Sequence, residues 1–361
     1  MSPRREIIRT LLDHRLPERV GLNESFWPHI IDNSWGSQGI EQNTNFVQRF
    51  DLDYQSVMWW GAPGPRPDLA QTLEETAETK LTSDAWGAHI RNWKHKGGTP
   101  EHVGFTCTSP EVWKRDFREQ FLAIDVRTTV DIPAIRERLA KARADDRFAV
   151  YSSLFVFEDL RRIMGDVCML ESLAGDPEYI EDFCACITRK HLEAWEYIFN
   201  EAGIPDGFHM YEDLGYTRGP FCSPRMHRQL IQPWHKQLFG FIKSRGVPLV
   251  VHTCGDFRPH LPALVECGVD CIQTLEAKTG MDVVKLASEW KDKLTFMGNL
   301  DIRAFESGDR QQIRQECLSK LEGMKRLRAP YIFMSDHSIS PAVKVTDYEY
   351  ALQLFRDNCR Y

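Results

Sequence analysis

No stretch of the 361 residues approaches the roughly 20 consecutive apolar positions that a membrane-spanning helix needs, so a helical span is excluded. Positive charge is not in excess either. Lys and Arg number 45 against 52 Asp and Glu, a net charge of -7, which offers no basic field to a polyphosphate and sets nucleic acid aside as a partner. The opening MSPRREIIRTLLDHRLPERV is basic but has neither a continuous apolar region nor a small-residue cleavage site, so a cytoplasmic protein is expected. Ten scattered cysteines in a chain this long do not make a disulfide framework and suit reduced thiols. Cys184 and Cys186, two apart in a helical pattern, read as core. Gly61 to Gly64 and Gly97-Gly98 lack the strand-to-helix setting of a phosphate-binding loop, so no nucleotide cofactor is expected. No short-period repeat or low-complexity stretch divides the chain.

What is present is a globular composition, 42% hydrophobic and 27% charged, able to bury a sizeable core. The first hundred residues are rich in tryptophan and turn formers and read as a strand-and-loop cap. Helix starts follow at Asp131, with Pro133 in the first turn, and at Asp176 with Pro177, ahead of apolar residues at helical spacing. From about residue 206 short extended runs alternate with amphipathic helices. The runs are GFHMYED, PLVVHTCGD, CIQTLEA, LTFMGNLD and PYIFMSDH. Helices are expected from Ser223-Pro224, from Pro259 to Cys267 and from Asp309 to Leu327. Strand and helix alternating this often imply a parallel sheet. The expected fold is therefore α/β, a distorted (β/α)8 TIM-type barrel forming one domain over 1–361, with residues 1–105 as an amino-terminal elaboration.

Each run begins apolar and ends polar, at Glu212 and Asp213, His252 and Cys254, Glu276, Asn299 and Asp301, and Asp336 and His337. Strand ends in such barrels open onto one face, where active sites sit, so residues far apart in sequence are expected to converge. Some of these polar residues could instead cap the helices that follow. In His252-Thr253-Cys254, residues two apart on a strand point to the same side, so an imidazole and a thiolate can reach one ion. Zn²⁺ takes such ligands tetrahedrally, and His337 at the last strand could supply the third. A buried cysteine beside a hydrogen-bonded histidine would give the same pattern. The aromatics Phe26, Trp27, Trp35, Trp59 and Trp60 could line a flat apolar pocket or simply pack.

Taken together, ERVGLNESFWPHII, MYEDLGYTRGPFCSPRMHRQLIQPWHK, VVHTCGDFRPHLPALVECGVD, LEAKTGMDVVKL, MGNLDIRAF and FMSDHSISPAV resemble the uroporphyrinogen decarboxylase superfamily over about residues 18 to 358. That superfamily includes porphyrinogen decarboxylases and corrinoid-dependent methyltransferases. The resemblance implies a distorted barrel with its pocket at the carboxyl ends of the strands. True porphyrinogen decarboxylases carry an arginine-rich segment of the type MRQAGR near the start. NESFWPHII stands there instead, which disfavours a substrate with many carboxylates. The zinc methyltransferases have a His-x-Cys motif matching His252 and Cys254, with a distant cysteine third, and His337 occupies about that place.

The resemblance thus implies a methyltransferase moving a methyl group between a small O- or S-methyl compound and a cobalamin (corrinoid) carrier on a separate partner protein, assisted by Zn²⁺ on His252, Cys254 and His337. Glu212, Asp213 and Glu276 are the expected catalytic groups. Glu24, Phe26, Trp27, Tyr211, Asn299 and Asp336 are expected to contact substrate. A second copy of the chain is a candidate partner. Two alternatives remain: a decarboxylase of a smaller substrate, in which an acidic residue protonates a carbanion equivalent, and a non-catalytic barrel that binds a ligand or corrinoid partner.

Overall fold

A computed structural model describes residues 3–95 and 99–361; the Gly97-Gly98 pair lies outside them. Eight strands, β1 (Gly21–Leu22), β2 (Tyr54–Trp60), β3 (Phe148–Leu154), β4 (Gly207–Tyr211), β5 (Leu249–Thr253), β6 (Cys271–Thr274), β7 (Thr295–Gly298) and β8 (Tyr331–Phe333), form one parallel sheet. From β2 to β8 each strand pairs with the next, and β1 pairs with β8 through Gly21↔Ile332 and Leu22↔Phe333. The sheet curls so far that β1 and β2 become neighbours. No ladder joins them, but Asp53 N–H donates to the Leu22 carbonyl at 2.9 Å and Leu22 N–H donates to the Asp53 carboxylate at 2.8 Å. Arg19 grips that carboxylate in a two-pronged pair at 2.7 and 2.8 Å, compensating a charge that has no exposure to solvent. The barrel is thus closed at one seam by a backbone hydrogen bond and a side-chain clamp, where elsewhere backbone ladders serve.

The expected later strands and helices are all present. Asp131, Asp176, Ser223 and Asp309 accept backbone N–H groups at the starts of their helices, as short polar N-caps do. The amino-terminal part departs from the expected elaboration, because β1 and β2 are barrel strands. Before them a helix, Arg4–Leu12, places Ile7, Ile8, Leu11 and Leu12 in the barrel's inner core beside Tyr54, Val250, Met297 and Ile332. That helix lies so near β1 that a Cβ on Gly21 would stand 2.8 Å from Ile8 Cδ1, so any larger residue there would make the Ile8 side chain shift. The appended part is a four-stranded antiparallel sheet, Gln71–Glu75, Thr79–Ser83, His89–Trp93 and Glu101–Gly104, inserted between β2 and β3. Most of its residues are exposed or half-buried. Cys184 and Cys186 are core, and among the described residues no helix is long and apolar enough to cross a membrane.

Candidate active site

At the carboxyl ends of the strands a cavity of about 370 Å³ opens among residues from β2, β3, β4, β5, β6 and the segments flanking β1 and β8. Its wall holds His252 and Cys254. Asp213, just past the end of β4, comes to the same place, and one donor atom from each of the three lies within 4.8 Å of the others. Cys254 Sγ stands 3.4 Å from His252 Nε2, which stands 3.4 Å from Asp213 Oδ1. The Asp213 carboxylate also accepts the Cys254 backbone N–H at 2.9 Å. The loop after β5 reaches this geometry through Gly255, whose φ of +74° and close approach leave no room for a Cβ, which would meet Gly215 backbone at 2.2 Å.

His252 is oriented from behind. Its Nδ1 meets the Gln273 side-chain oxygen at 2.5 Å, and since that oxygen only accepts, Nδ1 carries a proton and Nε2 is the nitrogen presented to Cys254 and Asp213. Burial opposes a charge on this imidazole, yet the facing Cys254 and Asp213 hold its pKa well above the ordinary value. Burial likewise works against an ionised Asp213, but His252 and then Arg161, 3.7 Å away, bring it down to about 2. Two acidic groups therefore focus on one imidazole nitrogen. A nitrogen, a sulfur and an oxygen donor at this separation, with the histidine tautomer fixed, suit a tetrahedral Zn²⁺ that keeps its fourth position for another ligand.

His337, expected as the third ligand, is on the cavity wall but outside this donor group. Its ring stacks on Trp27 at 5.4 Å instead, and burial lowers its pKa. Asp213, expected as a catalytic group, takes the donor place. Tyr211 lines the cavity, its ring 4.7 Å from His252 and 4.8 Å from the half-exposed Trp59. Glu24 lines it as well, accepting hydrogen bonds from Ser25 N–H and from the Ser335 hydroxyl and N–H. Desolvation nevertheless pushes Glu24 up to about 8, so that it is largely neutral at pH 7.

Other expected residues hold the site's frame and do not face the cavity. Glu212 is fully buried, accepting N–H groups of Phe157 and Glu158 at a helix start and pairing with His235. Glu276 accepts the Gly255 N–H at 2.8 Å and pairs with Lys278. Asn299 ties Val283, Leu275 and Met281 together, and Asp336 accepts N–H groups of Ala277 and Ile302. Phe26 packs among Trp35, Phe46, Phe50 and Tyr348. These are the capping and packing roles that a polar or aromatic strand end can equally serve. Sequence reasoning missed Tyr54, His209, Gln273 and Thr274, which line the cavity from inside the barrel. Polar residues in the middle of otherwise apolar barrel strands were the available signal. Among the described residues, no lysine or arginine lines the cavity.

A family model described as uroporphyrinogen decarboxylase (URO-D) matches residues 169–357, just over half of the chain. Among solved structures, a methyltransferase from Methanosarcina mazei is similar over 99% of this chain and 99% of its own, with a TM-score of 0.67 at 13% sequence identity. A Xaa-Pro dipeptidase with methionine bound in its active site aligns over 66% of this chain and 64% of its own, with a TM-score of only 0.29 at 10% identity. No curated protein matches.

Proposed function

The chain belongs to the uroporphyrinogen decarboxylase family, and on that footing we propose that it is a methyltransferase moving a methyl group from a small O- or S-methyl compound to a corrinoid carried by a separate protein. The observation that carries this reading is the donor trio Asp213, His252 and Cys254, two of which, His252 and Cys254, line the cavity at the carboxyl ends of the strands. These three would hold Zn²⁺. Bound there, the ion would polarise the heteroatom that gives up the methyl group, easing the reaction at neutral pH. The remaining work falls to the chain. Gln273 keeps the His252 lone pair aimed, and Arg161 helps keep Asp213 ionised. Tyr211 and Trp59 on one side, with Trp27 and His337 elsewhere on the site, give flat surfaces against which a methyl compound is oriented and water excluded. Transfer would break the donor's O–CH3 or S–CH3 bond, with the reduced corrinoid supplying the electron pair that takes up the methyl group. The leaving oxygen or sulfur keeps the bonding electrons, and Glu24, neutral at pH 7, is placed in the wall to give it a proton.

The decarboxylase alternative also finds an acid in Glu24. It requires a carboxylate substrate, however, and the cavity offers no lysine or arginine to receive one. The test is methyl transfer to reduced cobalamin followed by its absorbance change, with a panel of O- and S-methyl compounds. Zinc-dependent methylation that His252→Ala abolishes is the expected result. Release of CO2 from a small carboxylic acid without methyl transfer would instead establish the decarboxylase, and inertness with every donor would leave a binding barrel.

A further inference from the structure

Beneath the donor trio, the cavity floor is built inside the barrel from Tyr54 on β2, His209 on β4 and Gln273 and Thr274 on β6. Tyr54 hydroxyl meets His209 Nδ1 at 3.2 Å, and the Gln273 amide is committed to His252 and Met334. Two polar atoms remain. His209 Nε2 and Thr274 Oγ1 are buried and have no hydrogen-bond partner among the described residues, although both residues line the cavity. Orphaned buried polar atoms beside a cavity are what a ligand's own polar group leaves when it is absent.

We propose that this floor is a subsite for an uncharged, hydroxyl-bearing end of the substrate, seated on His209 and Thr274 while the methyl group faces Asp213, His252 and Cys254. A hydroxyl both donates and accepts, which is what an imidazole nitrogen and a threonine hydroxyl together can answer. A carboxylate or sulfonate would be buried at this floor without a free counter-ion, since no lysine or arginine among the described residues lines the cavity and the His252 imidazole is already paired with Asp213. His209 supplies no charge, because burial drives it down to about 3. The aromatic faces of Tyr211 and Trp59 fit a planar skeleton between the two ends. The orientation of the methyl end rests on the methyltransferase reading; the preference for a neutral end does not.

Isothermal titration of the full chain with 3-methoxyphenol and 3-methoxybenzoate, which share a meta-methoxylated ring and differ in a hydroxyl against a carboxylate, separates the cases. The neutral compound should bind about tenfold or more tightly than the anion. Thr274→Val, close to isosteric, and His209→Ala should each weaken its binding roughly fivefold or more, leaving the weak anion binding unmoved. An anion that binds as well as the phenol, no binding of the phenol at millimolar concentration, or variants that bind like the parent would each overturn the subsite. Tight, variant-sensitive binding of the phenol without methyl transfer to cobalamin would remove the methyltransferase reading and leave the subsite standing.

Discussion

Cys254 is the residue on which the metal assignment turns, because a thiolate is the donor that a hydroxyl replaces worst. Protein purified without added zinc should hold about one zinc per chain, and Cys254→Ser should cut that well below half, as measured by elemental analysis. Retention of full zinc by the serine variant would remove Cys254 from the ligand set. Glu24 offers a second test. Its folded-state pKa of about 8 exceeds the ordinary 4.5, so between those values the folded protein holds a proton that the unfolded chain has released. Stability contributed by Glu24 is therefore fully present below about pH 4.5 and is lost as pH rises toward 8, at up to roughly 1.4 kcal/mol per unit, less where cavity water solvates the carboxylate. Glu24→Gln should flatten that slope, read from urea midpoints at pH 6 and pH 8.5. Parallel pH profiles for the two proteins would count against a raised pKa. The strand-end rule brought out His252, Cys254 and Asp213 from sequence. It could not tell which polar ends face the cavity and which, like Glu212 and Asn299, turn aside to cap a helix or brace a loop, because both roles ask for the same residue types.

Among the elements, the amino-terminal helix carries more of the fold than its distance from the site suggests. Its apolar residues fall at the i, i+1, i+4 and i+5 positions Ile7, Ile8, Leu11 and Leu12, and the stripe fills one end of the barrel. Leu11 has no exposed surface, so Leu11→Ala should lower unfolding stability by about 3 kcal/mol through lost burial and the space left behind. A loss under about 1 kcal/mol in thermal or chemical unfolding would mean that the helix does not plug the barrel. The alternation from residue 206 onward was legible because β4 to β8 are apolar runs set between capped amphipathic helices. The barrel strand β1 was not, since two residues carry no periodicity, and β2 lies in an aromatic-rich stretch that suited a cap as well as a strand. The stripe in Arg4–Leu12 was the overlooked signal.

For the whole molecule, neighbours in the sheet are neighbours in the chain everywhere except at β1, and this sets an order of events in time. Pairing Val150 with Gly207 closes a loop of 57 residues (207 minus 150), whereas pairing Gly21 with Ile332 closes one of 311 (332 minus 21). The longer closure costs roughly 1.5 kcal/mol more in chain entropy, and a two-residue strand returns little for it. Sheet growth from β2 to β8 can therefore run ahead, with β1 joining late. The same weakness governs opening. In native-state hydrogen exchange, the amides of Leu22, Asn23 and Asp53 should be released at lower free energy than those of Val250 to Thr253, and Asp53→Asn, which leaves Arg19 without its charge, should widen that gap. Equal protection at both places would mean that the ring opens as a whole. If the seam does yield first, the barrel has a built-in point of breathing beside Asn23 and Glu24. Substrate exchange at the mouth could then be tuned from the opposite end of the strand by a single ion pair that no ligand touches.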